Sequence, residues 1–316
     1  MNEVTIGDIR EAHARIRERI HFTPVLTSTR INELSGGSLF FKCENFQKTG
    51  SFKARGAANA VLSLTDAEAA RGVATHSSGN HAAALAWAAG LKGIPAFIAM
   101  PRTVSRFKLA SVERLGGRVV LCEPTLKARE EAAEKIVRET GAVFIHPFDD
   151  QRVIAGQGTA ALELLGEVPD VDMVVCPVGG GGLLAGTSIV AKALRPGIRV
   201  LAAEPEGAAD ASLSFSTGLR QPVEHPASIA DGLLAFVGSL TFPVIQRHAD
   251  GIATVSDDAI AAAMRQIWDI MKIAVEPSGA VAYAAIAEGR VAVAGRRVGV
   301  ILSGGNVEFG GPAGAG

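Results

Sequence analysis

"VDMVVCPVGGGGLLAGTSIVAKAL" (residues 171–194) runs from a continuous apolar stretch, through four glycines, into an Ala- and Leu-rich segment of helical character. An uninterrupted apolar run is what a parallel strand shows when both faces of its sheet are covered. Gly179, Gly180, Gly181 and Gly182 then stand at a strand-to-helix turn. Backbone without side chains lets N–H groups crowd around an anion there, at the positive end of the helix. The stretch reads as one strand–turn–helix unit with a phosphate-binding turn.

The same pattern recurs on both sides. "GVATHS" (72–77), "IPAFIAMP" (94–101), "GRVVLCE" (117–123), "AVFIHP" (142–147), "IRVLAAEP" (198–205) and "VGVILSGG" (298–305) are β-rich runs separated by helical stretches. That alternation predicts an α/β fold built on doubly wound parallel sheets. In such sheets, ligands bind beyond the carboxyl ends of the strands. The fragments "SSGNH" (77–81), "HPFDD" (146–150), "EPEG" (204–207) and "SGGN" (303–306) all follow β-runs. Near the N-terminus, Ile6, Ile9, Ala12, Ile16 and Ile20 fall at helical spacing, with Thr5 and Asp8 forming a capping-box start.

Composition narrows the function classes. The 316 residues are 48% hydrophobic but only 5% aromatic, so Ala, Val, Leu and Ile build the core. A formal charge of −1, with both signs interspersed, offers no basic stripe for nucleic acid. Apolar runs such as "GIPAFIAM" fall far short of the ~20 residues that span a bilayer. The start, "MNEVTIGDIREAH", is acidic and amphipathic, unlike a signal peptide. Cys43, Cys122 and Cys176 are isolated and odd in number, which suits three buried structural thiols better than disulfides or a thiolate metal site. A soluble, cytoplasmic globular protein is the expectation.

Two readings of the phosphate turn stand open. Gly180-Gly181-Gly182-Leu183-Leu184-Ala185 satisfies the relaxed G-x-G-x-x-A pattern, and Glu204 ends the next strand about twenty residues on. This supports a nicotinamide-dinucleotide oxidoreductase, but leaves Lys53, in "SFKARGA" (51–57), without a role. A lysine that does chemistry must spend time as a neutral amine, although its pKa in water is ~10.4. Forming a Schiff base with an aldehyde achieves this. An aldehyde cofactor bearing a phosphate would link Lys53 to the glycine turn, and pyridoxal phosphate (PLP) is such a molecule.

"SFKARGA", "SSGNH", "PVGGGGLLAG", "ADG" (230–232), "EPSGA" (276–280) and "LSGGN" (302–306) occur in the order and approximate spacing of fold type II PLP enzymes. The chain most resembles their serine/threonine dehydratase and serine racemase group, from "HFTPVLTS" (21–28) to Glu308. The resemblance implies two doubly wound parallel-sheet lobes with the cofactor in the cleft between them. Residues 1–70 plus 150–316 would form the large PLP-binding lobe and residues 71–149 the small one. By the same resemblance Lys53 is the Schiff-base lysine, and Phe52 and Gly232 flank the pyridine ring. Asn80 meets the phenolic oxygen, Gly179–Gly182 hold the phosphate, and Ser303 meets the ring nitrogen. Asn80 also reads as an N-cap for the following helix. His81 and His146 read as core or supporting hydrogen-bonders. Ser77, Ser78, Gly79, Asn80 and His81 would bind the substrate carboxylate.

A serine hydroxyl cannot keep the ring nitrogen protonated as an aspartate would. That favours β-elimination over chemistry needing long-lived carbanions. The implied activity is therefore loss of water from serine, threonine or another β-hydroxy amino acid, giving a 2-keto acid and ammonia. Ser78 resembles the racemases, where it exchanges a proton opposite the lysine, whereas "HPFDD" resembles threonine dehydratases; racemisation stays open. Glu204, Ala208 and Asp210 match the divalent-cation site of racemase-like members, an all-oxygen set suited to Mg²⁺ or Ca²⁺. Phe148, Arg129 and "LLAFVG" (233–238) are candidates for a side-chain pocket whose preference is unread, and Arg129 also reads as a helix-surface charge. A homodimer is expected. The chain ends soon after "LSGGNVEFGG", so no C-terminal regulatory domain is expected, and Ala83, where relatives often have glutamine, puts a nucleotide effector in doubt.

Overall fold

In the computed structural model, which describes residues 3–307, the seven β-runs read from the sequence all form strands. Glu308, where the resemblance ends, lies outside the described residues. In chain order the strands are β1 (Val25–Leu26), β2 (Ser38–Cys43), β3 (Val73–His76), β4 (Ala96–Pro101) and β5 (Gly117–Cys122). They continue with β6 (Val143–Phe144), β7 (Met173–Pro177), β8 (Arg199–Pro205), β9 (Gly251–Val255) and β10 (Arg297–Leu302). They build two sheets, ordered β1-β2-β10-β7-β8-β9 and β5-β4-β3-β6. Every strand pairing is parallel except that of β1, which runs antiparallel to β2 with Val25 opposite Lys42.

The apolar run that opens the phosphate unit becomes β7, wholly buried between β10 and β8. Met173 and Val175 pack on one face with Phe41, Val300, Leu302 and Tyr283. Val174 and Cys176 pack on the other with Ile154, Leu184 and Ile301. Covering both faces is what makes the strand apolar throughout rather than alternating. The smaller sheet is sandwiched likewise, with Ile98 and Met100 facing Leu85, and Ala74 and Ala99 facing Ile136. At its edge β5 has only half-buried and exposed residues, and Cys122 is half-buried there. That corrects the expectation of three buried thiols; Cys43 and Cys176 are buried, which pushes both thiols up to about 12.

The first helix spans Ile6–Ile16 with the Thr5–Asp8 capping box formed and Ile9, Ala12 and Ile16 buried. Two features of the backbone and core set the position of Lys53. The Lys53–Leu62 and Gln151–Glu167 helices touch through Gly56 and Gly156: a Cβ on Gly156 would lie 2.6 Å from Gly56 Cα. Beneath the first turn of the Lys53 helix lies a closed charge cluster. The Arg55 guanidinium, wholly buried, donates to Glu44 at 2.7 and 2.8 Å and to Glu163 at 2.7 Å twice. Lys42 Nζ reaches Glu163 at 2.7 Å, and Thr23 Oγ1 donates to Glu44 at 2.6 Å. Burial alone would raise the Glu163 carboxyl, but the His13 and Arg55 side chains and the Lys42 charge pull it to about 2. Two cations and two anions balance, so these buried charges are paired as burial requires.

Candidate active site

Lys53 opens its helix, and its Nζ donates to the carbonyl of Pro147 at 2.7 Å. The acceptor is neutral, and burial lowers the amine to about 8. Phe52 lies beside it, its ring centroid 5.2 Å from Nζ. The segment is stitched to the end of β10: Phe52 N donates to Ser303 O at 3.0 Å, and Ser51 bridges Gly304. Ser303 is buried and its hydroxyl donates to Ser278 O at 3.3 Å, while Ser278 Oγ accepts from Gly232 N at 3.0 Å. Ser278 thus holds Ser303 and Gly232 in one cluster with Phe52 and Lys53.

Asn80 corrects one expectation. It is the first residue of the Asn80–Lys92 helix, not its cap; Gly79 stands at the cap position and makes no side-chain cap bond. The Asn80 amide instead donates to Glu276 Oε1 at 2.7 Å and accepts from Asn306 Nδ2 at 2.8 Å. Glu276 stands in the "EPSGA" motif, but the sequence gives it no role. Its Oε2 accepts from Asn306 N at 3.2 Å, and burial, with the nearby Asp231 charge, pushes its carboxyl up to about 7. Nothing local signals this role, because its partner is 196 positions away.

Gly179–Gly182 form a buried turn ahead of the Gly182–Leu194 helix, with Gly181 at φ 91°. Among the described residues their N–H groups find no protein acceptor. Four buried donors at a helix start want an anion. Side chains are excluded around them. A Cβ on Gly180 would lie 2.3 Å from the Phe148 ring, and one on Gly179 would lie 2.9 Å from Leu233 Cα. The donor set and the adjacent lysine fit a phosphate-bearing aldehyde such as PLP.

The half-buried turn Ser77–Asn80 links β3 to its helix, and a Cβ on Gly79 would meet nothing within 4 Å, so space opens there. His81 is buried with Nε2 3.3 Å from Ile145 O, and burial, then the Lys53 charge, keeps it neutral. Its Nδ1 is buried with no hydrogen-bond partner among the described residues. His146 Nδ1 accepts from Asp149 N at 2.9 Å and Phe148 N at 3.4 Å, which fixes the proton on Nε2. Lys108, on the Arg106–Arg114 helix beside the smaller sheet, pairs with Asp231 of the "ADG" turn beside the larger one.

Glu204 and Asp210 form a separate buried pair. Glu204 accepts from Ser212 N at 2.6 Å and Ala211 N at 3.1 Å, and Asp210 accepts from Val237 N at 3.0 Å. Burial raises Glu204 to about 8, with Asp210 adding to the rise, and Asp210 itself to about 6. Ala208 is wholly buried beside them. Among the described residues no three His, Cys, Asp or Glu side chains gather to hold a metal. Two buried carboxylates with no ion-pair partner among the described residues are nevertheless a donor set that a hard cation could use.

A family model described as "Pyridoxal-phosphate dependent enzyme" matches residues 16–304. The chain belongs to that family, and its two parallel-sheet architecture is that of fold type II PLP enzymes. Within it, the chain is 51% identical over 305 residues to the β-hydroxyaspartate dehydratase of Paracoccus denitrificans (strain Pd 1222), covering 96% of this chain and 97% of that one. It is 48% identical over 310 residues to the serine racemase of Oryza sativa subsp. indica, covering 96% and 91%. A solved threonine deaminase from T.th. superposes with a TM-score of 0.92 at 42% identity, covering 96% of this chain and 99% of that one. The dinucleotide reading falls with these matches. Glu204, the acidic residue that completes that pattern, accepts from two backbone N–H groups.

Proposed function

We propose that this chain removes water from a β-hydroxy amino acid with PLP as cofactor, releasing a 2-keto acid and ammonia. The observation that carries the reading is the Lys53 amine, lowered to about 8 and held, among the described residues, by a neutral carbonyl, so that a neutral fraction exists near physiological pH. Bound PLP supplies an aldehyde that takes the substrate amine and a ring that withdraws electrons from Cα. Lys53 takes the α-proton, a step in which general-base catalysis contributes roughly 10²–10⁴-fold. Backbone N–H groups of Ser77–His81, at a helix start, hold the substrate carboxylate. Gly179–Gly182 would hold the cofactor phosphate, Asn80 would hydrogen-bond its phenolic oxygen, and Phe52 and Gly232 would flank its ring. Ser303, on turning its hydroxyl from Ser278 O, would offer the ring nitrogen only a weak acid, which suits loss of a β-substituent.

Racemisation is the second reading. Ser78 in the half-buried turn and the similarity to a serine racemase favour it. The β-hydroxyaspartate dehydratase relative points to an acidic substrate. Arg129 agrees: it is half-buried, and no ion pair is formed by it among the described residues. A keto-acid assay over serine, threonine and 3-hydroxyaspartate, with chiral analysis of recovered serine, tests all three. Absence of keto acid from every substrate would overturn the proposal, and D-serine without keto acid would favour the second reading instead.

Mg²⁺ or Ca²⁺ bound by Glu204, Asp210 and the Ala208 carbonyl completes the proposed site; calorimetric titration with either ion tests it. We take residues 71–149 as a small lobe against 1–70 plus 150–316. We also take the protein as a cytoplasmic homodimer. No helix among the described residues is long and apolar enough to cross a membrane.

A further inference from the structure

We propose that Asp149 is a positioning residue, tying the loop that holds the Lys53 amine to the glycine turn that takes the cofactor phosphate. The inference rests on the reading that Lys53 and Gly179–Gly182 hold PLP, and not on which substrate is used. The Asp149 carboxylate accepts four hydrogen bonds from a segment 90 or more residues away. Ser239 N and Ser239 Oγ reach Oδ2, each at 2.8 Å, and Leu240 N and Thr241 N reach Oδ1 at 2.8 and 3.1 Å. These donors open the Thr241–His248 helix, whose own cap residue, Leu240, supplies no side-chain acceptor. Gly238 makes room, since a Cβ there would sit 2.0 Å from Asp149 Oδ1.

The same segment grips the phosphate turn. Thr241 Oγ1 donates to Gly180 O at 2.8 Å, and Gly238 N donates to Thr241 Oγ1 at 2.9 Å and to Gly180 O at 3.2 Å. On the other side, residues 146–149 form one tight loop. Pro147 O holds Lys53, His146 Nδ1 takes the Asp149 N–H, and the Phe148 ring fills the space a Cβ on Gly180 would need. Asp149 is the residue of that loop whose side chain bonds to the segment holding Gly180. A helix cap alone calls for no such reach, because Ser239 stands beside the helix start and could cap it locally. Charge-assisted bonds from a fully engaged carboxylate give the link its rigidity.

Asp149→Asn keeps shape but turns an amide N–H₂ toward backbone donors, breaking about half the bonds. We expect the PLP dissociation constant to rise about tenfold or more, together with reduced borohydride labelling of Lys53 at matched cofactor occupancy. A lower melting temperature of the cofactor-free protein would accompany both. The double variant Asp149→Asn/Ser239→Asp returns a local carboxylate to the helix start. If Asp149 positions the two loops, that variant regains melting temperature but not PLP affinity or labelling. Recovery of all three would reduce Asp149 to a helix cap and overturn the proposal, as would unchanged PLP affinity in Asp149→Asn. Wild-type protein that fails to label at Lys53 would instead remove the cofactor reading on which the inference stands.

Discussion

Gly180→Ala probes the fit of the phosphate turn most sharply. The added methyl would lie 2.3 Å from Phe148 Cγ and Cδ1 and 2.4 Å from Cδ2. Carbon atoms rest at ~3.5–4.0 Å, so the ring must retreat by roughly 1 Å or more. It has little freedom to do so. The ring stands edge-on to His146 with centroids 4.5 Å apart, and its neighbours Pro147 and Asp149 are both hydrogen-bonded to other segments. Overpacking of this kind costs about 1–3 kcal/mol, which in a large domain lowers Tm by about 2–10 °C. Thermal unfolding of the cofactor-free protein reads the cost, and PLP titration reads the accompanying loss of affinity. Phe148→Ala in the Gly180→Ala background removes the clash, so a double-mutant cycle should return a coupling of about 1–3 kcal/mol. Wild-type melting and PLP affinity in Gly180→Ala, or zero coupling, would refute the packing described.

Further outcomes follow from other groups. Glu276, raised to about 7 in the fold against 4.5 unfolded, contributes stability that is present below pH 4.5 and lost as pH rises through 7. The loss amounts to about 3 kcal/mol, and Glu276→Gln should flatten that part of the stability–pH profile of the cofactor-free protein; an unchanged slope would contradict the assignment. Arg55→Met leaves Glu44 and Glu163 facing each other in the core and should cost about 3–5 kcal/mol by denaturant unfolding; a change below about 1 kcal/mol would show the cluster relaxes. Ser78→Ala should abolish any racemisation while sparing most dehydration, read by chiral chromatography beside the keto-acid assay. Equal loss of both would argue against a second base.

The parallel strands are legible because burial on two faces writes an unbroken apolar run, as in Met173–Pro177. The elements the sequence hides lack that mark. β1 is two residues long, and β9 is half-exposed along most of its length. β2 carries Lys42, a charge that Glu163 neutralises from 121 positions away. The site divides in the same way. Lys53, the glycine turn and Ser303 stand in short motifs. Glu276 and Asp149 act through partners 196 and 90 or more positions distant, and only folding pairs them. Asn80 reads as a cap in the sequence because its real partners, Glu276 and Asn306, are equally remote.

Borohydride reduction of PLP-saturated protein, followed by peptide mapping, asks directly whether Lys53 carries the cofactor. One pyridoxyl adduct on the peptide containing "SFKARGA" is the expected result. An adduct on Lys42 or Lys48 instead, or an unmodified Lys53, would contradict it.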